Sequence, residues 1–580
     1  MFRNAITTLG LLLLSFVAFG SDVPADANSA VTRSYIVQAQ TLDIAASAVR
    51  GVGGDITHEL TIINAVGANL TSGQHVKLLA DKRLTIQTNR SAGVAAVTPT
   101  TITTFNRGEQ GAGPAGNGPS TFFPSLSGAN FMHIKGITGE GVTVAVVDTG
   151  YYDTQYLNNG KNGSNRVVAL YDAISNEEAA KYDGVGLDDN GHGTHVISVI
   201  ANSETDKEGN YMGVAPGASL VSVRAFDGNG NGTYLDVIRG LDWLYKVHSA
   251  YNIRVVNLSF SAEPQSHYWD DPINQAVMKL WQEGLVIVAS AGNRGPDPMT
   301  IGVPGNLPYV ITVGAMTDES TPLFGEDDRL ATFSSAGPTV EGFVKPDVVA
   351  PGGHIVGLMD NGVHKITIDH PEFMFNFGDS DKYFQMSGTS QSAAVVSGIA
   401  ALLLEMNPNL TNDDIKCKLM SSAKPAVDGK GELAYSIFQQ GAGLANAYDA
   451  ARSSASNCAN QGMDVAADLA GKVHYGGPAN ADANGNFYLM NSDAYLWTDG
   501  KLATGGYIWT DGYIWTDGYI WTDAYMWTDG SVGANGYLWT DGYIWTDGYI
   551  WTDGYIWTDG YIWTDASSRT AGINAWVDPE

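Results

Sequence analysis

The stretch GVTVAVVDTG, residues 141–150, decides how this chain is read. From Val142 to Val147 it is almost unbroken in valine and alanine. A strand wet on one face alternates apolar and polar side chains, whereas an unbroken run marks a strand buried on both faces, as in a parallel sheet. The run ends on Asp148, followed by Thr149 and Gly150. A carboxylate at the end of such a strand stands where open α/β sheets place their chemistry.

Working outward, similar runs recur as ASLVSVRAF (218–226), IRVVNLSF (253–260), LVIVASAG (285–292) and YVITVGA (309–315). Between them lie amphipathic stretches such as YLDVIRGLDWLYKVHSA (234–250) and PINQAVMKLWQEG (272–284). Alternation of strand and helix over residues 121–453 implies an α/β domain, a doubly wound parallel sheet with flanking helices. Asn293, like Asp148, falls just after an apolar strand.

Two further motifs match the Asp148 turn in character. GHGTH (191–195) holds His192, and SGTSQSAAVVSG (387–398) holds Ser390, each among glycine and small residues. The order is Asp, His, Ser, with separations of 44 and 198 residues. Together these groups can activate a hydroxyl for nucleophilic attack, which none does alone. The helix pattern QSAAVVSGIAALLLEM after Ser390 puts that residue at a helix N-terminus, where free N–H groups favour negative charge. His195 reads as a packing residue on the helix of His192.

These motifs, with the AGN at Asn293, resemble the subtilisin-like serine proteases over residues 130–450. GVAPGASL (213–220), KPDVVAPG (345–352) and QGAGLANAYDA (440–450) add to the likeness. The resemblance implies a subtilisin-like fold and a serine endopeptidase working through an acyl-enzyme. Ser390 would be the nucleophile, His192 the general base and acid, and Asp148 the group holding the imidazole. The Asn293 amide and the Ser390 backbone N–H would receive the oxyanion. It also implies that Gly230-Asn231-Gly232 and Ser259-Phe260-Ser261 pair with substrate backbone, that Tyr234 lines an outer pocket, and that Ser259–Ser261 with Ser290 to Gly292 line the pocket before the scissile bond. No cofactor is required for that chemistry. Structural calcium is compatible with it but not placed, because Gln155-Tyr156-Leu157-Asn158 replaces the usual His-Pro-Asp-Leu. Two other departures stand out. Phe260-Ser261 replaces the usual Leu-Gly, and about 34 residues separate Gly352 from Ser387, including HPEFMFNFGDSDKYF. That insertion reads equally as a wall of the cleft or as a surface loop.

Net charge is −30, from 31 basic and 61 acidic residues, which disfavours nucleic acid and anionic membranes as partners. Arg3, the apolar run Ile6 to Phe19, and small Ala18 and Gly20 read as a signal peptide over residues 1–20, so the chain is expected outside the cell. No later segment reads as transmembrane. Cys417 and Cys458 are the only cysteines, a pair that an exported chain can bond.

Residues 21–105 contain a small α/β unit with SYIVQ as a strand and LDIAASAVRGVGG as a helix. Its position and its GVGGDITHEL stretch resemble the family's inhibitory propeptide, so the chain's own propeptide is an expected partner beside polypeptide substrates. NRGEQGAGPAGNGPS (106–120) is a linker by composition. Residues 454–494 read as a second linker. From Tyr495 to Ala566 the chain runs in hexads of YIWTDG type, ten regular and two degenerate, KLATGG and SVGANG. Asp-Gly favours a hairpin meander. The even period equally suits a solenoid of parallel strands, which is the preferred reading. The tail would bind a surface or polysaccharide, or serve as a spacer. A surface adhesion protein whose tail carries the function is therefore the alternative to a protease. Residues 567–580 end the chain.

Overall fold

The computed structural model describes residues 31–89, 121–159, 165–179, 187–318, 328–360, 362–377, 380–427, 433–481 and 487–489, with short strands between 508 and 573. The leader at 1–20 and the Gly/Pro stretch at 106–120 lie outside the described residues.

The N-terminal unit has β1 (Thr32–Gln38), β2 (Asp55–Leu60), β3 (Ala65–Thr71) and β4 (Thr85–Thr88), in the antiparallel order β2-β3-β1-β4. Two helices, Leu42–Gly51 and Ser72–Leu79, accompany them. Val37, Val49, Val66 and Leu70 form its own core. Leu60, Ile62 and Ile63 instead pack into the core of the larger domain. Polar contacts fix the docking. Asp242 Oδ1 accepts the Thr61 hydroxyl and the Ile62 N–H, both at 2.7 Å, and Gln38 Nε2 donates to Gln275 Oε1 at 2.8 Å. Asp242 and Gln275 stand on the helices Tyr234–Val247 and Pro272–Gln282.

The larger domain is built on β5 (Thr143–Asp148), β6 (Val167–Asp172), β7 (Glu177–Ala179), β8 (Ser219–Arg224), β9 (Ile253–Leu258), β11 (Val286–Ser290), β12 (Ile311–Thr317), β13 (Arg329–Leu330) and β14 (Val348–Pro351); the two residues Phe260–Ser261 form β10 outside this sheet. Seven strands are parallel, in the order β14-β12-β11-β9-β5-β8-β6, with β7 and β13 antiparallel at the margins. The five apolar runs are β5, β8, β9, β11 and β12. Every residue of β5 is buried, because helices cover both faces. The winding reverses at β5: β6 and β8 lie on one side, β9, β11, β12 and β14 on the other. Such a switch opens a crevice at the carboxyl ends of the strands, and Asp148 is the last residue of β5.

One region differs from what the sequence suggested. Residues 454–481 are not a plain linker but pack on the domain. Asp468, on the short helix Val465–Leu469, is buried and accepts the hydroxyls of Tyr268 (2.7 Å) and Tyr309 (2.8 Å) and the ring of His474 (2.7 Å). Small and polar residues suggested a loose connection, but the two tyrosines lie far away in sequence. Cys417 and Cys458 are bonded, with Cα atoms 5.2 Å apart. The insertion before Ser387 forms its own sheet, in which β15 (Ile355–Leu358) and β16 (Met374–Phe377) flank β17 (Ser380–Met386).

In the tail, three-residue strands pair in parallel at an 18-residue offset. Ile508 meets Met526, Trp509 meets Trp527, and Ile520 meets Leu538. Three hexads therefore make one turn, and the strands fall into three sheets. The degenerate hexad keeps its place, Val532 pairing with Ile514 and Ile550.

Candidate active site

Asp148 and His192 meet directly. His192 Nδ1 donates to Asp148 Oδ1 at 2.7 Å, and both side chains are buried. Asp148 Oδ1 also accepts the Thr149 N–H at 2.8 Å, which orients the carboxylate. Burial pushes the His192 pKa down, but the Asp148 charge and hydrogen bond, helped by Asp188, outweigh it and leave the pKa raised. The ring is thus a better proton acceptor than an isolated buried imidazole.

His192 opens the helix His192–Ala201 after Gly191, and the Asp188 carboxylate accepts from the helix start. Asp188 Oδ1 accepts from the Gly191 N–H (2.7 Å) and the Thr149 hydroxyl (2.8 Å), and Oδ2 accepts from the Thr194 N–H (2.8 Å) and hydroxyl (2.7 Å). One carboxylate thereby ties the Asp148 turn to the His192 helix. The motif reading passed over Asp188, although an acidic residue just ahead of a helix start is a capping signal. Gly193 permits the close approach: a Cβ there would lie 2.5 Å from the Gly150 carbonyl oxygen.

Ser390 is the second residue of the buried helix Thr389–Met406. Its hydroxyl donates to the Ser259 carbonyl at 3.1 Å, and the Ser259 hydroxyl donates back to the Ser390 carbonyl at 3.0 Å. This exchange fastens the helix start to the end of β9. Asn293 Oδ1 accepts the Thr389 N–H (3.0 Å) and hydroxyl (2.9 Å), which turns its NH2 toward Gly388. A Cβ built on Gly388 would lie 3.3 Å from Asn293 Nδ2 and 3.7 Å from the Ser390 nitrogen. Glycine there keeps open the space between two N–H donors, as an oxyanion site requires.

The candidate binding residues are placed unevenly. Ser259, Phe260 and Ser261 follow β9 beside the nucleophile. Phe260 turns inward and is wholly buried, with its ring 5.2 Å from that of Phe226. Ser290 is buried, and its hydroxyl donates to the Phe260 carbonyl at 3.2 Å. The Gly292 N–H donates to the Thr389 hydroxyl at 3.2 Å. Gly230 holds a left-handed φ of 77° in a turn closed by the Asp227 N–H on the Asn231 carbonyl. A Cβ on Gly232 would come 2.5 Å from the Ala225 oxygen. Tyr234 corrects an expectation. It does not line an open pocket but is buried, its hydroxyl donating to Asp271 Oδ2 at 2.9 Å, because it begins a helix packed against the Asp271-capped one.

The insertion reaches this site from behind. His364 Nδ1 donates to the Asp188 carbonyl at 2.8 Å, and the Lys365 and Ile366 N–H groups donate to the carbonyls of Asp189 and Asn190. His195 points the other way from His192. Its Nε2 lies 3.1 Å from the Phe384 carbonyl, and burial lowers its pKa to about 4. Among the described residues no group of three or more His, Cys, Asp and Glu side chains is placed to share a metal.

The profile of the subtilase family, Peptidase S8, matches residues 139–461. The chain belongs to the subtilase family. Serine protease AprX of Bacillus subtilis (strain 168) is 40% identical over 285 residues, covering 48% of this subtilase and 60% of AprX. Subtilisin E of the same organism is 30% identical over 294 residues, covering 50% and 63%. The chain thus spans under two thirds of these relatives. The thermostable alkaline protease of Halalkalibacterium halodurans is 25% identical over 430 residues, covering 73% and 97%. The crystal structure of fervidolysin from Fervidobacterium pennivorans shares the fold, with a TM-score of 0.55 at 23% identity, covering 73% of this chain and 61% of that one.

Proposed function

We propose that this subtilase is a secreted serine endopeptidase of polypeptides, made as a precursor that processes itself. The observation that carries the reading is the buried His192–Asp148 pair, set with Ser390 at a helix start and Asn293 turned toward the Gly388 space. Ser390 Oγ attacks the peptide carbonyl while His192 Nε2 takes its proton. Asp148 stabilises the imidazolium, and Asn293 Nδ2 with the Ser390 N–H receives the oxyanion. His192 then gives its proton to the leaving amine, and water hydrolyses the acyl-enzyme. The unit at residues 32–89, seated on Asp242 and Gln275, serves as the inhibitory propeptide, and the cut that frees it falls before residue 121. The hexad tail holds the enzyme at a surface. A fluorophosphonate probe should label the secreted protein at Ser390, and Ser390→Ala should abolish both labelling and removal of the N-terminal unit. An unlabelled, fully folded secreted protein would overturn the enzyme reading.

A further inference from the structure

The strand Gly572–Ile573 pairs antiparallel with β10, Gly572 opposite Ser261 and Ile573 opposite Phe260. β10 directly follows Ser259, whose carbonyl accepts the Ser390 hydroxyl at 3.1 Å. One edge of this segment is already used, since Ala262 exchanges both backbone hydrogen bonds with Val303 at 2.9 and 2.7 Å. Alternate residues of an extended strand present their N–H and C=O to opposite edges, so Ser261 offers its pair to the other side. That other edge, beside the nucleophile, is where Gly572 lies.

The sequence fits the placement. After Ala566 the hexads stop, and SSRTAGINAWVDPE follows no Tyr-x-Trp-Thr-Asp pattern. Gly572 brings no side chain to obstruct a close backbone approach, and β-branched Ile573 favours extended backbone.

We propose that the C-terminal segment around Gly572–Ile573 occupies the substrate groove as a tethered, substrate-like strand that competes with other polypeptides. The proposal rests on the protease reading for its consequence, though not for its geometry.

The test uses the full chain, with Gly572→Pro and Ile573→Asp as variants. In a Ser390→Ala background, which prevents self-digestion, the Ser261 amide should be protected from hydrogen exchange, and either variant should abolish that protection. In the active protein, either variant should lower KM for a reporter peptide by about an order of magnitude with kcat unchanged, as loss of a tethered competitor requires. A synthetic peptide of residues 569–580 should restore the higher KM of Ile573→Asp. Protection that persists in both variants would assign this edge to another occupant, such as the residues after Asn89, and overturn the proposal. So would an unchanged KM. If no form reacts with a fluorophosphonate, the protease reading fails, while exchange at Ser261 still decides the docking.

Discussion

The two sides of the His192–Ala201 helix treat chemically identical residues in opposite ways. His192 faces Asp148 and Asp188, and its pKa is raised although it is buried. His195, one turn on, faces the insertion and meets the carbonyls of Ile355 and Phe384 and the Gln391 amide, all uncharged, and burial lowers its pKa to about 4. A carbonyl dipole does not offset the cost of burying a charge, whereas a carboxylate in contact does. Neighbouring charge therefore makes one histidine a proton carrier and its absence makes the other a structural donor.

The strongest way to break the contrast is Asp148→Asn. It removes the charge while keeping the shape, and leaves burial as the main influence on His192. Activity should fall by about four orders of magnitude, the scale known for this change in Ser-His-Asp enzymes. The acid limb of the pH profile should also move to lower pH, which kcat/KM against pH would show. A limb that stays in place would mean that Asp148 does not set the His192 pKa.

Asp188→Ala tests the shared cap. The change leaves the buried N–H groups of Gly191 and Thr194 and the hydroxyls of Thr149 and Thr194 without their carboxylate. Each stranded buried donor costs on the order of 1–3 kcal/mol, so a total loss of at least about 3 kcal/mol is expected. Urea unfolding in a Ser390→Ala background measures it. A loss below about 1 kcal/mol would mean that water replaces the cap.

How much of this was legible in the sequence follows the range of each interaction. Asp148, His192, Asn293 and Ser390 stand at strand ends and helix starts, which local periodicity marks. The five apolar runs became five strands because double burial imprints itself on consecutive residues. Asp188 is legible in principle, since an acidic residue just ahead of a helix start is a local signal, but it lies outside the GHGTH motif that marks His192. Tyr234 and residues 454–481 were not legible. Whether Tyr234 turns to a groove or to Asp271 depends on how two helices pack, and Asp468 is held by tyrosines about 160 and 200 residues earlier. Phe260 shows the same limit: a departure from the family pattern stood out, but its ring faces Phe226 and not substrate.

His195 sharpens the contrast through pH and stability. Its folded pKa of about 4 lies below the usual 6.5, so the unfolded chain takes up this proton first as pH falls. The stability tied to neutral His195 is whole above pH 6.5 and is lost as pH drops toward 4. At pH 4.5 the loss is on the order of 2 kcal/mol. His192 runs the other way, since its raised pKa adds stability below 6.5 that fades as pH rises through the folded value. His195→Gln in a Ser390→Ala background should flatten the decline between pH 6.5 and 4.5 in urea melts. An unaltered slope would place the acid sensitivity elsewhere, for instance at His267, whose pKa burial lowers well below the usual value.

The smallest expected effect concerns His364, which joins the two sides. A carbonyl can only accept, so the hydrogen of this ring sits on Nδ1, where it meets the Asp188 carbonyl. His364→Ala strands that carbonyl and should cost about 1–2 kcal/mol. His364→Asn places an amide donor at nearly the same distance from the backbone and should recover part of the loss. If the insertion acts only by supporting the segment before His192, both variants should lower kcat a few-fold and leave the acid limb alone, because neither touches Asp148. A shift of that limb would show that the insertion acts on the His192 proton and not merely on its position, and the division between the two sides of the helix would no longer hold.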